Sequence, residues 1–278
     1  MTDDFIQRVE TLSLQEKKSV QKLISKYSDE QNLKFKLDSS VLETINDHRV
    51  CYFLQWDGGQ LTAYMVSNYF NETEMEITLV GVDKTHFTDF IDLASSEATK
   101  HGLTKLLLIV DEMDKTTIGL AEKQNFLYSF SEYRLVFQND FSLKLSMSEL
   151  VLRAATSSDK SIISQLDLDG FGRSDEMMDT DLFATQLAIV NQQIIGKIRL
   201  DEVNNTLGIY GFVVFESERG KGYGKEILSR VIHESQLKGI SHIYLEVALD
   251  NPSALKLYEQ CGFKKQARFD YYQKKLSM

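Results

Sequence analysis

Apolar and polar positions follow one another along the chain as two successive series of short strands and amphipathic helices. In the first half, apolar or alternating runs predict strands at 5–9, 49–56, 60–68, 74–82, 103–110 and 126–137. Helical periodicity there predicts helices at 13–27, 87–101 and 115–124. In the second half the same criteria predict strands at 150–155, 184–190, 193–201, 206–215, 241–248, 263–268 and 270–276, and helices at 157–166, 222–238 and 251–261. The pattern predicts a mixed fold of class α/β (α+β).

Local signals fix some of these boundaries. Ser13-Leu14-Gln15-Glu16 has the spacing of a capping box at the start of the first helix. The single proline, Pro252, directly follows Asn251, and this pair favours an N-cap and a first helical position. Gly102 and Gly239 each follow a predicted helix and favour its termination.

The two halves of the chain resemble each other weakly. Phe5–Thr11 aligns with Leu150–Thr156, and His101–Val110 aligns with Lys238–Val247. We therefore predict two copies of one domain, at 1–138 and 150–278. Residues 139–149 form a linker or a crossover strand between them.

Composition narrows the class of protein. The 278 residues are 42% hydrophobic and 26% charged, as expected for a globular protein, and no apolar run is long enough to span a membrane. The N-terminus lacks the features of a signal peptide. Cys51 and Cys261 are isolated, which favours a reducing compartment, and we predict a cytoplasmic protein without a metal. The net charge of −10 argues against nucleic-acid binding, and the oligomeric state is open.

Residues 212–225 contain the most informative motif. An apolar strand leads into a loop with glycine at every second position, and a helix follows. Such a loop, with three cations, suits an anionic phosphate group near the free N–H groups of a helix N-terminus. The spacing excludes a Walker A loop and a dinucleotide fingerprint. The glycines and cations are Gly220, Gly222, Gly224, Arg219, Lys221 and Lys225.

The order Arg219-x-x-Gly222-x-Gly224 resembles the pyrophosphate loop of the GCN5-related N-acetyltransferases (GNAT family). The resemblance extends over 150–275, through Leu245-Glu246-Val247, Asn251, Tyr258 and Gly262-Phe263. It implies two tandem GNAT-fold domains, each with a mixed, mostly antiparallel sheet flanked by helices. Residues 79–90, the counterpart of the loop in the first half, lack the motif. The first copy is therefore interpreted as degenerate and unable to bind the cofactor.

The resemblance implies transfer of an acetyl group from acetyl-CoA to a primary amine of a small molecule or peptide. Backbone groups of the strand before the loop are expected to pair with the pantetheine arm, the loop is expected to hold the pyrophosphate, and Asn251 is expected to contact the arm. The implied cofactor-binding residues are Phe212, Val213, Val214, Arg219, Gly220, Lys221, Gly222, Tyr223, Gly224, Lys225 and Asn251. The competing class is a module that binds CoA for regulation or scaffolding without turnover.

In the ribosomal-protein alanine N-acetyltransferases of this family, the matching motif supplies a base and an acid. Carried over, Glu246 is the base and Tyr258 the acid that protonates the departing thiolate. Tyr258 could instead be a core residue, and Glu246 could lie on a solvated strand face. Many family members place a carboxylate on the strand at 207–211, which has none here, so Glu202, Asp201 and ordered water are further candidates for the base.

The sequence indicates less about the acceptor site than about the cofactor site. Segment 167–181 contains six carboxylates and one cation, Arg173. It either receives a cationic amine or is a solvated acidic loop.

Overall fold

The computed structural model of the protein describes residues 5–37, 48–141, 149–173 and 179–276. The chain forms two compact units. Unit 1 consists of the residues up to Glu132 together with those from Ala267 onward, and unit 2 runs from Tyr133 to Gln266.

Unit 1 contains a mixed sheet with helices on both of its faces. Its sheet order is β1-β2-β3-β4-β5-β12-β6, with β4 and β5 parallel and the pairs β1–β2, β2–β3, β3–β4 and β5–β12 antiparallel. Its elements are β1 Phe5–Val9, α1 Leu14–Gln31, β2 Val50–Asp57, β3 Gln60–Asn68, β4 Glu74–Val80, α2 Phe87–Lys100, β5 Lys105–Asp111, α3 Lys115–Lys123, and parts of β6 Leu127–Phe137 and β12 Phe263–Lys275.

Unit 2 repeats this plan. Its sheet order is β12-β6-β11-β10-β9-β8-β7, with β10 and β11 parallel and the pairs β7–β8, β8–β9 and β9–β10 antiparallel. Its other elements are β7 Val151–Ala154, α4 Lys160–Phe171, α5 Asp179–Ala184, β8 Thr185–Val190, β9 Gln193–Val203, β10 Thr206–Val214, α6 Tyr223–Leu237, β11 His242–Ala248 and α7 Pro252–Gln260.

Capping chemistry sets several helix ends as predicted. Ser13 and Glu16 form a reciprocal capping box at the start of α1. At α7 the Asn251 side chain accepts a hydrogen bond from the Ala254 N–H, and Pro252 occupies the first turn.

The sheet of unit 2 separates two environments. On one face, apolar residues of α6 such as Ile227 and Val231 share a buried cluster with Leu207, Ile209 and other strand residues. On the other face, a smaller cluster joins residues of α4, α5 and β8. Because successive strand residues point to opposite faces, the residues that alternate with the α6-facing positions face α4 and α5.

The closing strands divide between the units. Residues 127–132 of β6 and 267–275 of β12 belong to unit 1, whereas 133–137 and 263–266 belong to unit 2. The units therefore differ from the halves 1–138 and 150–278, in which each closing strand lies wholly within its own half. The assignment of those halves as two copies of one domain stays a prediction. Residues 142–148 of the expected linker lie outside the described residues.

Two secondary-structure predictions need correction in the second half. The strands expected at 263–268 and 270–276 are one strand, because buried Asp270 accepts hydrogen bonds from Arg268 and Ser131 and does not interrupt it. Helix α4 extends to Phe171, five residues beyond the predicted end at Leu166. Asp167 and Asp169 therefore lie on a helix and not in a loop.

The buried hydroxyl of Tyr64 allows a test of hydrogen bonding in the core of unit 1. Its side chain is fully buried on β3, and its hydroxyl has no hydrogen-bond partner among the described residues. A buried hydroxyl without a partner costs folding free energy. We expect Tyr64→Phe to raise the free energy of unfolding by about 1 kcal/mol, as measured by urea denaturation.

Tyr271 is the matched control for this substitution. It is equally buried in unit 1, but its hydroxyl donates to Glu132 and receives a hydrogen bond from Lys36. Tyr271→Phe should therefore destabilise the protein. Equal destabilisation by both substitutions would contradict the assignment of an unsatisfied hydroxyl at Tyr64.

Candidate active site

The parallel strands β10 and β11 of unit 2 separate part-way along their length. They pair from Thr206 with His242 to Ile209 with Leu245. Between Tyr210 and Val213 the pairing of β10 with β9 shifts at a bulge. A bulge bends its strand locally, so a gap opens between β10 and β11 from this point. The predicted arm-binding residues Phe212, Val213 and Val214 lie on this departing part of β10.

A glycine loop follows β10 and ends at the N-terminus of α6. Gly220 and Gly222 have φ of +77° and +90°, and a Cβ built on either would meet nothing within 4 Å. This open cradle lies beside the first-turn N–H groups of Tyr223, Gly224 and Lys225, which lack helical acceptors by position. The arrangement fits a phosphate group.

Gly224 has a different role from the other two glycines of the loop. A Cβ at Gly224 would lie 3.2 Å from Leu257 Cδ2 on α7. Its missing side chain therefore lets α6 and α7 pack closely and positions the helix that follows the loop.

Two of the three cations of the loop are committed to protein partners. Arg219 donates to the Val214 carbonyl at 2.9 Å and to Asp169 Oδ2 at 2.7 Å, which ties the loop to the end of α4. Lys221 pairs with Glu218 at 2.9 Å. Lys225 is exposed in the first turn of α6 and has no ion pair within the described part of the chain. The loop therefore presents its backbone N–H groups and one lysine, Lys225, to a ligand. It does not present three free positive charges.

Tyr258 lies on α7 in the cluster that faces α6. Its ring packs edge-to-face on Phe263, with centroids 6.1 Å apart. Burial raises the pKa of Tyr258 to about 12. The phenol is therefore protonated at neutral pH, as an ordinary tyrosine is, and its raised pKa makes it a weaker acid.

Glu246 lies on the opposite face of β11. Its neighbours Leu245 and Val247 belong to the same cluster as Tyr258, so Glu246 points toward the other side of the sheet. There Oε1 accepts hydrogen bonds from Arg134 Nε at 3.0 Å and Nη2 at 2.7 Å. The side chains of Arg134 and Glu246 are 12% and 8% exposed. Glu246 therefore does not lie on a solvated strand face, which was one of its two predicted alternatives. It forms a buried ion pair with Arg134.

A row of polar side chains continues from this ion pair across the same face. The Arg134 guanidinium lies 4.8 Å from the centre of the Tyr244 ring, and the Tyr244 and Tyr210 hydroxyls are 2.7 Å apart. The Arg199 guanidinium lies 5.2 Å from the centre of the Tyr210 ring and forms a 2.9 Å ion pair with Asp181. The sequence signal for this row was present, because charged or tyrosine residues alternate with buried apolar ones along β9 and β11.

Lys197 forms a second buried ion pair on this face. Its Nζ lies 2.5 Å from Asp167 Oδ1, and the two side chains are 6% and 16% exposed. Burial lowers the pKa of Lys197, while the ion pair with Asp167 opposes that shift. This pair joins α4 to β9 next to the bulge, since Nζ lies 3.9 Å from a Cβ built on Gly211.

The acidic segment is neutralised wherever it is described. Each of its four described carboxylates forms an ion pair with a lysine or arginine. The pairs are Asp167–Lys197, Asp169–Arg219, Asp179–Lys160 and Asp181–Arg199. Asp175 and Glu176 lie outside the described residues. The four described carboxylates are thus paired, although Asp179 remains largely exposed to solvent.

The alternative bases on β9 lie away from the gap. Glu202 is exposed opposite Leu207 and pairs with Lys238 at 3.7 Å, and Asp201 lies opposite Gly208. Both positions are beside the paired part of β10 and not beside its bulge.

Neither a metal centre nor a membrane span is found where the chain is described. Over these ranges, no three His, Cys, Asp or Glu side chains form a group that could hold a metal ion. No helix within the described ranges has the length and apolar character needed to cross a membrane.

Residues 153–263 match the family model of the Acetyltransferase (GNAT) family. This part of the chain belongs to the GNAT family. A tandem GNAT protein from the clavulanic acid biosynthesis pathway superposes with a TM-score of 0.71 at 12% identity, over 99% of each chain. This similarity confirms the predicted fold class.

Curated GNAT relatives match shorter stretches. The chain is 32% identical over 75 residues to spermidine N(1)-acetyltransferase of Vibrio cholerae, which is 26% of this chain and 43% of that protein. It is 34% identical over 87 residues to the ribosomal protein bS18-alanine N-acetyltransferase of Haemophilus influenzae, which is 31% of this chain and 59% of that protein. The chain thus spans about half the length of the curated relatives it matches.

Unit 1 differs from unit 2 at the turn that corresponds in sequence to the glycine loop. A Cβ on Gly81, which follows β4, would lie 2.6 Å from the Thr62 carbonyl oxygen, so this turn is packed and not open. Segment 33–37 also lies against the ends of β4 and β5. Lys34 N–H donates to Asp111 Oδ2 at 2.7 Å, and Thr78 Oγ1 donates to the Lys36 carbonyl at 3.3 Å.

The buried Lys197–Asp167 ion pair leads to a testable prediction about the stability of unit 2. Lys197→Met leaves the Asp167 carboxylate without its partner and should destabilise the protein by about 3 kcal/mol in urea denaturation. The double variant Lys197→Met/Asp167→Leu should recover most of this loss, because two apolar side chains need no ion pair.

The surface pair Lys221–Glu218 is the control, and Lys221→Met should change stability by less than about 1 kcal/mol. A double variant as unstable as Lys197→Met alone would show that the pair has a function other than mutual neutralisation.

Proposed function

We propose that unit 2 is an acetyltransferase that transfers an acetyl group from acetyl-CoA to a primary amine of a small molecule or peptide. The observation that supports it is the combination, in one unit, of an open glycine cradle at the start of α6, a gap between β10 and β11, and the buried phenol of Tyr258. The names of the spermidine and bS18-alanine relatives add support for an amine acceptor.

In this proposal each predicted residue has a physical task. The backbone of Phe212, Val213 and Val214 pairs with the pantetheine arm, because these residues lie where β10 has left β11. Gly220, Gly222 and the first-turn N–H groups of α6 bind the pyrophosphate. Asn251 fixes the start of α7, and hence Tyr258, and contacts the arm.

The reaction forms a C–N bond and breaks a C–S bond. The neutral amine nitrogen attacks the thioester carbon, the sulfur leaves as a thiolate, and Tyr258 gives that sulfur its proton. The attacking nitrogen loses one proton to water or to Glu246. Glu246 is already held by Arg134 in a buried ion pair, so it would have to leave that partner to take up a proton. Water is therefore the stronger candidate.

The N-terminal copy does not bind acetyl-CoA in this proposal. Its packed turn at Gly81 and the covering segment 33–37 support this assignment. Both cysteines are free and buried, which suits a reducing compartment and supports a cytoplasmic protein.

The cradle is tested by acetyl-CoA binding and turnover. The wild-type protein should bind acetyl-CoA and release free thiol with at least one acceptor among spermidine, an alanine-ended peptide and glucosamine. Gly222→Val should weaken acetyl-CoA binding at least about tenfold, because a side chain at this φ distorts the loop and fills the cradle.

Gly239→Val is the matched control, since Gly239 has φ of +83° at the other end of α6. It should lose stability but keep its affinity for acetyl-CoA. Measurable CoA binding without turnover of any acceptor would favour a CoA-binding module over an enzyme.

Tyr258 is tested by kinetics across pH. Because its pKa is raised to about 12 and the acid form is the active one, its proton is available up to about pH 11. Tyr258→Phe should lower kcat about 100-fold while the Kd of acetyl-CoA changes little. Wild-type kcat should show no fall from loss of this proton between pH 7 and 10.

Tyr133→Phe is the control, since Tyr133 lies in unit 2 with Lys265 over its ring and outside the proposed machinery. An unchanged kcat in Tyr258→Phe would remove Tyr258 as the acid.

A further inference from the structure

Helix α4 ends against the part of β10 that has left β11. A Cβ built on Gly170, in the last turn of α4, would lie 2.5 Å from Cγ2 of Val213. Val213 is buried, with 5% of its surface exposed, so it has little room to move away. Glycine at position 170 therefore lets the end of α4 lie directly on the strand that leads into the glycine loop.

Asp169, also in the last turn of α4, holds the turn between β10 and the glycine loop. This turn is a short 3₁₀ helix over Glu216–Glu218, and Arg219 follows it and directly precedes Gly220. Asp169 Oδ2 accepts hydrogen bonds from Glu216 N–H at 3.0 Å and from Arg219 Nη2 at 2.7 Å. A single carboxylate oxygen thus joins the two ends of the turn.

The Arg219 side chain folds back over the same turn. Its Nε donates to the carbonyl of Val214, the last residue of β10, at 2.9 Å. Two nitrogens of one planar guanidinium are therefore engaged at once, by the end of β10 and by α4. Together with the Glu216 N–H bond, these contacts form a brace between the strand, the turn and the helix. The brace fixes where the glycine loop begins.

Charge alone does not explain a carboxylate at this position. A negative charge beside a loop that binds a phosphate group opposes the binding of the anionic ligand, so its removal would strengthen binding. A carboxylate whose role lies in the hydrogen bonds that it accepts has the opposite effect. Its removal releases the loop, and more entropy is then lost when the ligand binds. The sign of the change in affinity therefore separates the two roles.

We propose that Asp169 is a positioning residue for the glycine loop. It fixes the Glu216 N–H group and the Arg219 guanidinium, and so keeps the cradle at Gly220 and Gly222 in the open form that binds the pyrophosphate. Arg219 acts through this brace and not as a direct ligand of the phosphate. The inference rests on the proposed acetyl transfer and adds to it a residue that lies 50 positions before Arg219.

The test is isothermal titration calorimetry with acetyl-CoA at constant salt concentration. Asp169→Ala should weaken binding about tenfold, because both hydrogen bonds to the carboxylate are lost. Asp169→Asn removes the same charge but keeps an oxygen that can accept from Glu216 N–H, so it should recover part of the loss. With an acceptor that the wild type uses, Asp169→Ala should raise KM for acetyl-CoA by a similar factor and change kcat less than about twofold, since no reacting group is altered.

Glu218→Gln is the matched control. Glu218 lies in the same turn and pairs with Lys221 at 2.9 Å, so this variant removes one negative charge from the loop and leaves the brace in place. Its affinity for acetyl-CoA should equal or exceed that of the wild type. The urea midpoint of Asp169→Ala should stay close to the wild-type value, because the Asp169–Arg219 pair is partly exposed.

A double variant measures the coupling between the two residues. Asp169→Ala/Arg219→Ala should bind acetyl-CoA no more than about threefold more weakly than Arg219→Ala alone, because either single change already breaks the brace. Fully additive losses would show that Arg219 contacts the phosphate independently of Asp169 and would overturn the inference.

The Asp169→Ala variant also separates this inference from the proposed function. Unchanged or tighter binding in this variant, while the wild type binds acetyl-CoA, overturns the role of Asp169 and leaves the proposed function intact. If the wild type itself does not bind acetyl-CoA, the proposed function is wrong, and the role of Asp169 in ligand binding falls with it.

Discussion

Strand β10 pairs with β11 over four residues and then leaves it at a bulge, and the polar architecture of unit 2 follows from that departure. Once the strands separate, neither satisfies the other's backbone groups, and a ligand with amide groups can take the partner's place. The open cradle at Gly222 follows the departing end of β10 along the chain.

Charged side chains on the sheet of unit 2 form ion pairs with neighbouring side chains of opposite charge. The face of the sheet opposite α6 contains Lys197, Arg199 and Arg134, and each of them is paired with a carboxylate within 3 Å. Buried ions without partners are strongly unfavourable, which explains why the buried Lys197 and Arg134 are each held in a pair. Among the described residues, these three cations are therefore held in neutral pairs.

The sequence was sufficient for those parts of the structure that depend on local chemistry. The capping box at Ser13, the Asn251-Pro252 helix start and the glycine loop each act within a few residues, and their signals are readable without a fold. Arg134 could not be found in this way, because it is 112 residues from Glu246 and only the strand order brings them together. The ion pairs of the acidic segment could not be found either, because their partners lie on other elements.

Strand β6 lies in the first half of the chain but contributes residues to unit 2. Residues 133–137 of β6 belong to unit 2, and one of them, Arg134, contacts both Glu246 and the Tyr244 ring. A C-terminal half that began after β6 would lack this strand and would leave Glu246 buried without Arg134. The N-terminal half therefore supplies a strand and Arg134 to unit 2, whether or not it binds a ligand of its own.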